Sequence, residues 1–181
     1  PGDIPPLNVT PRRPGLHRVI YQSKAKTVQF EEWQEFADYL IDVGLDPPLS
    51  RHQEMGLSPD DVTESYIRCA KALIAVGDGV GQDAPSGMPF ELVALTNPYT
   101  TPEVQDITVQ LLWNGAPAPN TQITVFYGQN ETLKIVKGQT DTQWQAQLPF
   151  LGSGPYLVNA VHFREAPASY GTPWLSHWAS L

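Results

Sequence analysis

The second half of the chain, from Phe90 to Leu181, consists of short segments that alternate apolar and polar residues, and this pattern constrains the fold most. Asp106–Trp113 alternates in this way, Asn114 and Gly115 follow it, and Thr121–Tyr127 alternates again. Period-two alternation with a central Asn-Gly pair is typical of half-buried antiparallel strands. The segments predicted as strands are Phe90–Leu95, Asp106–Trp113, Thr121–Tyr127, Glu131–Val136, Thr142–Leu148, Gly154–Phe163 and Leu175–Leu181.

Closely spaced short strands predict an immunoglobulin-like or transthyretin-like β-sandwich over residues 90–181. The composition agrees, since 18 prolines and 14 glycines imply many turns and few long helices. We therefore expect a mainly β protein.

The first half of the chain carries a weaker strand pattern. Leu16–Phe30 alternates loosely, which predicts a hairpin that turns near Ser23–Lys26. Val62–Val76 fits both a helix and a strand, and the turn formed by Gly77, Asp78 and Gly79 favours the strand.

Between these segments the period changes to that of helices. Apolar residues recur at three- and four-residue spacing from Trp33 to Gly44, which predicts an amphipathic helix, and Leu49–Met55 predicts a shorter one. Together they form an acidic helical insert over about residues 31–57. The predicted organisation is a partial β-domain over 1–78, a linker over 79–89 and a sandwich over 90–181. The sequence thus predicts two tandem immunoglobulin-like or transthyretin-like sandwiches, of which the first is incomplete.

The charge distribution excludes one class of partner. The net charge is −8, and ten of the 19 acidic residues lie between Glu31 and Glu64, where Arg51 is the single basic residue. Nucleic-acid binding requires a basic surface that neutralises phosphates, so we expect no nucleic-acid partner. No run of eighteen apolar residues occurs, so the sequence predicts no membrane-spanning helix.

Motifs of catalysis are missing from the sequence. It contains no Gly-x-Ser-x-Gly elbow, no His-Glu-x-x-His motif and no glycine-rich phosphate loop. The single cysteine, Cys69, excludes an internal disulfide and is expected to be a small buried residue. The sequence therefore predicts no enzyme.

Two histidines form the candidate site. If Gly154–Phe163 and Leu175–Leu181 pair as a hairpin, a symmetric register places His162 opposite His177. Opposed residues have Cβ atoms about 4.5–5.5 Å apart, close enough for two imidazoles to share a divalent metal. Glu165 would add a carboxylate. The alternative is two surface histidines on the polar face of an edge hairpin.

Other residues have simpler expected roles. His52 and His17 have no partner in the sequence, and His52 is expected to be a solvated surface residue. Trp174 and Trp178 are expected either in the core or on a platform that binds carbohydrate or protein.

Three segments together carry a resemblance to a known family. They are Tyr66–Leu73 with Val76–Asp78, Glu91–Tyr99, and Pro155–His162 with Trp178–Leu181. In this order and spacing the chain resembles a bacterial periplasmic family of unknown function, sometimes labelled a periplasmic component of cobalt or nickel uptake.

The resemblance implies an exported, periplasmic or extracellular, non-enzymatic accessory protein with possible metal binding. A structural interaction module of a cell-envelope assembly is the alternative, and carbohydrate binding is a weaker one. Members of this family usually begin with a signal peptide and a strand-rich segment. Because this chain begins after that segment, we expect either that the sequence is a fragment or that a protein partner completes the N-terminal β-domain.

Overall fold

The computed structural model describes residues 8–100, 106–128, 132–149 and 151–181. These residues form a mainly β protein with two sheets and two helices, as the sequence predicts. The helices are α1 (Trp33–Asp42) and α2 (Leu49–Glu54). The strands are β1 (Gly15–Gln22), β2 (Lys26–Glu32), β3 (Asp60–Val76), β4 (Phe90–Ala94), β5 (Asp106–Trp113), β6 (Ala116–Pro117), β7 (Gln122–Tyr127), β8 (Lys134–Gln139), β9 (Gln145–Pro149), β10 (Tyr156–Glu165) and β11 (Trp174–Ser180).

The large sheet has the order β1-β3-β11-β10-β7-β8, and β2 also pairs with β3. The predicted strand at Val62–Val76 is confirmed, since β3 is continuous from Asp60 to Val76. β11 lies between β3 and β10, parallel to β3 and antiparallel to β10. The sheet therefore runs without interruption between the two predicted domains, whose division stays a prediction.

The predicted hairpin at Leu16–Phe30 is wrong. β1 and β2 do not pair with each other; both pair antiparallel with β3, one after the other. Between them three residues oppose two on β3, because Gln22 pairs with Cys69 and Lys26 with Tyr66. This one-residue excess is a β-bulge. The Ser23 amide donates to the Arg68 carbonyl, and the Ser23 hydroxyl accepts from the Arg68 amide, each at 2.9 Å.

The small sheet pairs β5 with β4 on one side and with β6 and β9 on the other. Its inward side chains and those of β7, β10 and β11 form one hydrophobic core, so the two sheets pack face to face. For the predicted strand Glu131–Val136, the observed strand is β8, which begins at Lys134. Glu131 falls outside the described residues. An immunoglobulin-like or transthyretin-like assignment stays a prediction.

The two helices cover part of the opposite face of the large sheet. Both predicted helices are confirmed, and α1 ends before Gly44, whose φ of 81° suits glycine. Phe36 and Leu40 of α1 pack on Val62 of β3 and Trp174 of β11. Successive residues of a strand face opposite sides. β11 therefore contributes to the sandwich core with one face and to the helix-covered core with the other.

A buried charge network fixes the connection over residues 77–89. The Lys71 Nζ atom lies 3.0 Å from Asp83 Oδ2 and 3.7 Å from Glu91 Oε2, and these side chains are at most 1% exposed. Nζ also donates to the carbonyls of Ala84, at 3.1 Å, and Leu92, at 2.9 Å. The network thus ties β3 and β4 to the connection between them. Among the described residues, no helix is long and apolar enough to cross a membrane.

The Lys71→Met substitution is expected to destabilise the protein by ~3–5 kcal/mol, because it removes the buried ammonium from both carboxylates and leaves Asp83 to the partly exposed Arg18, 3.9 Å away. The matched control is Lys137→Met. Lys137 pairs with Asp42 at 2.8 Å, but the Lys137 side chain is 42% exposed and that of Asp42 is 78% exposed. That exposed pair is expected to contribute at most ~1 kcal/mol. Denaturation in urea measures both values, and equal losses for the two variants would contradict the assigned role of Lys71.

Candidate functional site

His162 and His177 lie directly opposite each other on β10 and β11, as the symmetric register predicts. The register follows from the loop between the strands, where Ala168–Tyr170 forms a 3₁₀ turn and the Ala166 amide donates to the Pro173 carbonyl. His162 has the same strand parity as Val158 and Ala160, which belong to the sandwich core. The two imidazoles therefore face the small sheet rather than open solvent.

Two aromatic side chains of the small sheet contact this pair. Trp113 and Phe90 are opposite each other in the pairing of β5 with β4. The Trp113 ring centroid lies 3.9 Å from that of His162 and 4.9 Å from that of His177. The Phe90 centroid is 5.8 Å from His162. The indole of Trp113 thus contacts both imidazoles at the end of the sandwich.

The environment disfavours the charged form of both imidazoles. His177 is 4% exposed, and burial lowers its pKa to about 4, with the charges of Arg164 and His162 acting in the same direction. Burial and then Arg164 also lower the pKa of His162. The Nδ1 atom of His177 is buried and has no hydrogen-bond partner among the described residues. A buried ring nitrogen without a hydrogen-bond partner is uncommon and requires an explanation.

Glu165, the third predicted ligand, is not brought to this pair. It lies three residues beyond His162 on β10, which turns its side chain to the opposite face of the sheet. There its two carboxylate oxygens accept from the Arg51 guanidinium of α2, at 2.7 and 3.1 Å. This charge-assisted pairing lowers the pKa of Glu165. The structure therefore joins two of the three predicted ligands.

His52 is buried, which corrects the expectation of a solvated surface residue. It is 1% exposed and lies between Trp33, at a centroid distance of 4.8 Å, and Trp174, at 6.1 Å. Its Nδ1 accepts from Trp174 Nε1 at 3.2 Å, and its Nε2 donates to the Ser58 carbonyl at 2.7 Å. Both ring nitrogens are satisfied, so His52 is a structural residue. His17 lies on β1, where its Nε2 contacts the Arg13 carbonyl at 2.8 Å.

A buried carboxylate under α1 was not predicted from the sequence. Glu64 of β3 is 1% exposed, and its Oε1 accepts from the hydroxyls of Ser176 and of Tyr39, the latter at 3.3 Å. Its Oε2 has no partner among the described residues. Burial raises the pKa of Glu64 to about 7, against the opposing effect of those two hydrogen bonds. The alternating strand pattern could have placed Glu64 on the face of Val62, and that was the available signal.

The tryptophans near the C-terminus do not form an open platform. Trp174 is 2% exposed and packs in the helix-covered core. Trp178 is half-buried, with Tyr39 stacked at 5.8 Å and the Arg68 guanidinium 5.1 Å from its ring centroid. Since binding of a sugar by stacking requires a free ring face, this geometry favours the core interpretation. Cys69 is fully buried, as expected.

A cavity with a volume of about 540 Å³ lies away from the histidine pair. It is mostly apolar and its lining includes Leu73, Tyr99, Tyr156 and Leu157. Lys71 also lines it, but the ammonium is occupied by the network described above. The cavity therefore presents no free titratable side chain for chemistry.

The histidine pair can donate two neutral nitrogen ligands from rigid strands. Imidazole nitrogens bind Zn, Cu and Ni. Within the described residues, no group of three or more His, Cys, Asp or Glu side chains could hold a metal ion. The site therefore offers two imidazole donors and an adjacent indole.

One family model matches the chain. DUF4198, described as a domain of unknown function, matches residues 2–164, which include His162 but not His177. No curated protein and no solved structure matches the chain significantly.

The Glu64→Gln variant is expected to be more stable than the wild type at pH 8 and about equally stable at pH 4.5. The pKa of Glu64 is about 7 in the folded state, above the ordinary value of 4.5, so its stabilising contribution is full below pH 4.5 and is lost as the pH rises to about 7. The linked loss is on the order of 3 kcal/mol. Urea denaturation at both pH values measures this difference. A variant with no advantage at pH 8 would show that the burial of Glu64 carries no such cost.

Proposed function

The chain belongs to DUF4198, a family of domains of unknown function, and we propose that it is a non-enzymatic binding protein for a transition-metal ion. The proposed ligands are the imidazoles of His162 and His177. The proposal includes export to the periplasm or the cell exterior, which is supported by the resemblance to a bacterial periplasmic family. The ions considered are those of the nickel, cobalt, copper and zinc class, which all accept imidazole.

The single observation that carries the proposal is the buried, unpartnered Nδ1 of His177 beside a second, directly opposed imidazole. His52 provides an internal comparison. It is equally buried, yet both of its nitrogens have hydrogen-bond partners. A histidine that serves packing alone would be expected to resemble His52. The orphan nitrogen of His177 therefore favours a ligand role over a purely structural one.

A saturable rise in the thermal unfolding midpoint is expected with one of the ions Ni, Co, Cu or Zn, and His162→Ala is expected to abolish it. An ion present at about 100 times its dissociation constant stabilises the folded state by ~2.7 kcal/mol. For a chain of this size that is a shift of several degrees. Differential scanning calorimetry on the purified, metal-free protein measures the shift.

Two control variants distinguish binding at this site from non-specific metal binding. His17→Ala removes a histidine on β1 outside the pair and is expected to leave the shift intact. Glu165→Gln is also expected to leave it intact, because Glu165 binds Arg51 on the other face of the sheet. If none of the metals shifts the unfolding midpoint, or if the shift survives His162→Ala, the proposed site is wrong and the two histidines are packed core residues.

A second candidate function, a protein interaction module, is favoured by the part of the large sheet that the helices do not cover. By strand parity its exposed apolar residues lie on the same face as Trp178. They include Tyr21, 56% exposed, Ile74, 44%, Leu157, 47%, and Ile135, 54%. Exposed apolar patches commonly mark interaction surfaces. These exposed residues support binding of a protein partner to the edge or the face of the sheet.

If copies of the chain associate through this face, sedimentation equilibrium is expected to show association that rises with concentration. Leu157→Lys is expected to weaken it, because the charge must lose its water in the interface. Val80→Lys is the control, since Val80 is 62% exposed and lies in the connection after β3. A monomer at all concentrations would argue against assembly of copies through this face.

A further inference from the structure

We infer that the ion held between His162 and His177 is copper in its monovalent state, and that the Trp113 indole is a third group that contacts it. This inference rests on the proposed function, since it specifies the ion at the same site. It extends that function by assigning Trp113 a role in binding and by choosing among the ions that imidazole accepts. Three features of the described residues support it.

The first feature is the kind and arrangement of the donors. His162 and His177 are directly opposed on paired strands and share one face of the sheet, so their imidazoles are neighbours that one ion can join. Cu(I) is a closed-shell ion that accepts two nitrogen ligands in a linear arrangement. The carboxylate closest in sequence, Glu165, is bound to Arg51 on the other face of the sheet. The donors offered are thus two neutral imidazoles.

The second feature is the indole ring. Its centroid is 3.9 Å from that of His162 and 4.9 Å from that of His177, so an ion bound between the imidazoles lies within reach of the ring. The face of an indole attracts cations, and tryptophan is the best of the aromatic side chains at this. A soft monovalent ion also accepts electron density from such a ring. Trp113 therefore favours Cu(I), the softest of the ions compared, through electron donation from the ring.

The third feature is a nearby positive charge. Arg164 lies two residues beyond His162 on β10, and its charge acts on both imidazoles. The repulsion between two charges is proportional to their product, so a divalent ion is penalised twice as strongly as a monovalent one at the same place. The site is partly desolvated, since His177 is 4% exposed, which increases the difference. This local field again favours the monovalent ion.

The test is a competition titration of the purified full chain, kept reduced, with Cu(I) against the chelator bicinchoninate. Ag(I) serves as a probe that does not change oxidation state, and Zn(II), Ni(II) and Co(II) are titrated in parallel. The expected result is one Cu(I) or Ag(I) per chain, bound more tightly than any of the divalent ions. Tryptophan fluorescence is expected to be quenched in proportion to occupancy.

Variants assign the signal to the site. Trp113→Leu is expected to weaken Cu(I) binding by about 3- to 30-fold, the range given by cation–π contributions. Trp113→Phe, which preserves more of the packing, is expected to bind but to lose the quenching. Trp33→Phe is the matched control, because Trp33 contacts a different buried histidine, His52, at 4.8 Å. Cys69→Ala is the second control, since a thiol also binds Cu(I), and it is expected to bind as the wild type does.

The outcomes distinguish this inference from the proposed function. If Zn(II), Ni(II) or Co(II) binds through His162 more tightly than Cu(I), the inference is overturned and the proposed function stands. If no ion binds, both fail. Cu(I) binding that is lost in Cys69→Ala, or that leaves the Trp113 fluorescence unchanged, would also overturn the inference.

Discussion

The Lys71 ammonium holds the two sheets in their relative position. It is the buried cation of a cluster with the carboxylates of Asp83 and Glu91, beside the partly exposed Arg18 guanidinium at 3.9 Å from Asp83, and it also donates to two backbone carbonyls. The carboxylates are themselves saturated, because Asp83 accepts from the Ala94 amide and Glu91 accepts from residues just before β4. A buried charge stays only where its partners are fixed. The network therefore fixes the position of a connection that has no regular secondary structure.

The histidine site depends on this placement of β4. Lys71 binds the Leu92 carbonyl, and Leu92 lies two residues after Phe90 on β4. Phe90 in turn pairs with Trp113, so the network sets the position of the indole above His162 and His177. The imidazoles belong to the large sheet and the aromatic rings to the small one. Their contact therefore exists only while the two sheets keep this alignment.

Local pattern was enough to predict much of this architecture. Strands, helices and the opposition of His162 and His177 follow from alternation, helical spacing and the symmetry of one loop. The pairing of both β1 and β2 with β3 could not be predicted in this way. The residues around Ser23 form a bulge, but in the sequence they have the pattern of a hairpin turn. The burial of His52 and the engagement of Glu165 depend on α2 folding back against the sheet. Contacts between residues so distant in sequence leave no local signal.

Titratable groups on the two faces of β11 make the stability of the protein depend on pH in opposite directions. His177 faces the sandwich, and its pKa of about 4, below the ordinary 6.5, means that its stabilising contribution is full above pH 6.5 and is lost toward pH 4. Ser176 faces the helices and donates to Glu64, whose raised pKa gives the reverse dependence up to about pH 7. Between pH 4.5 and 6.5 the two slopes have similar size and opposite sign, so they largely cancel. His162, whose pKa burial also lowers, adds a slope of the same sign as that of His177, so the stability of the whole protein is expected to fall toward the acid end of this range. If either Glu64 or His177 is removed, the free energy of unfolding is expected to show the pH dependence of the other group. The two lie on opposite faces of the same sheet, so their effects are expected to be nearly additive.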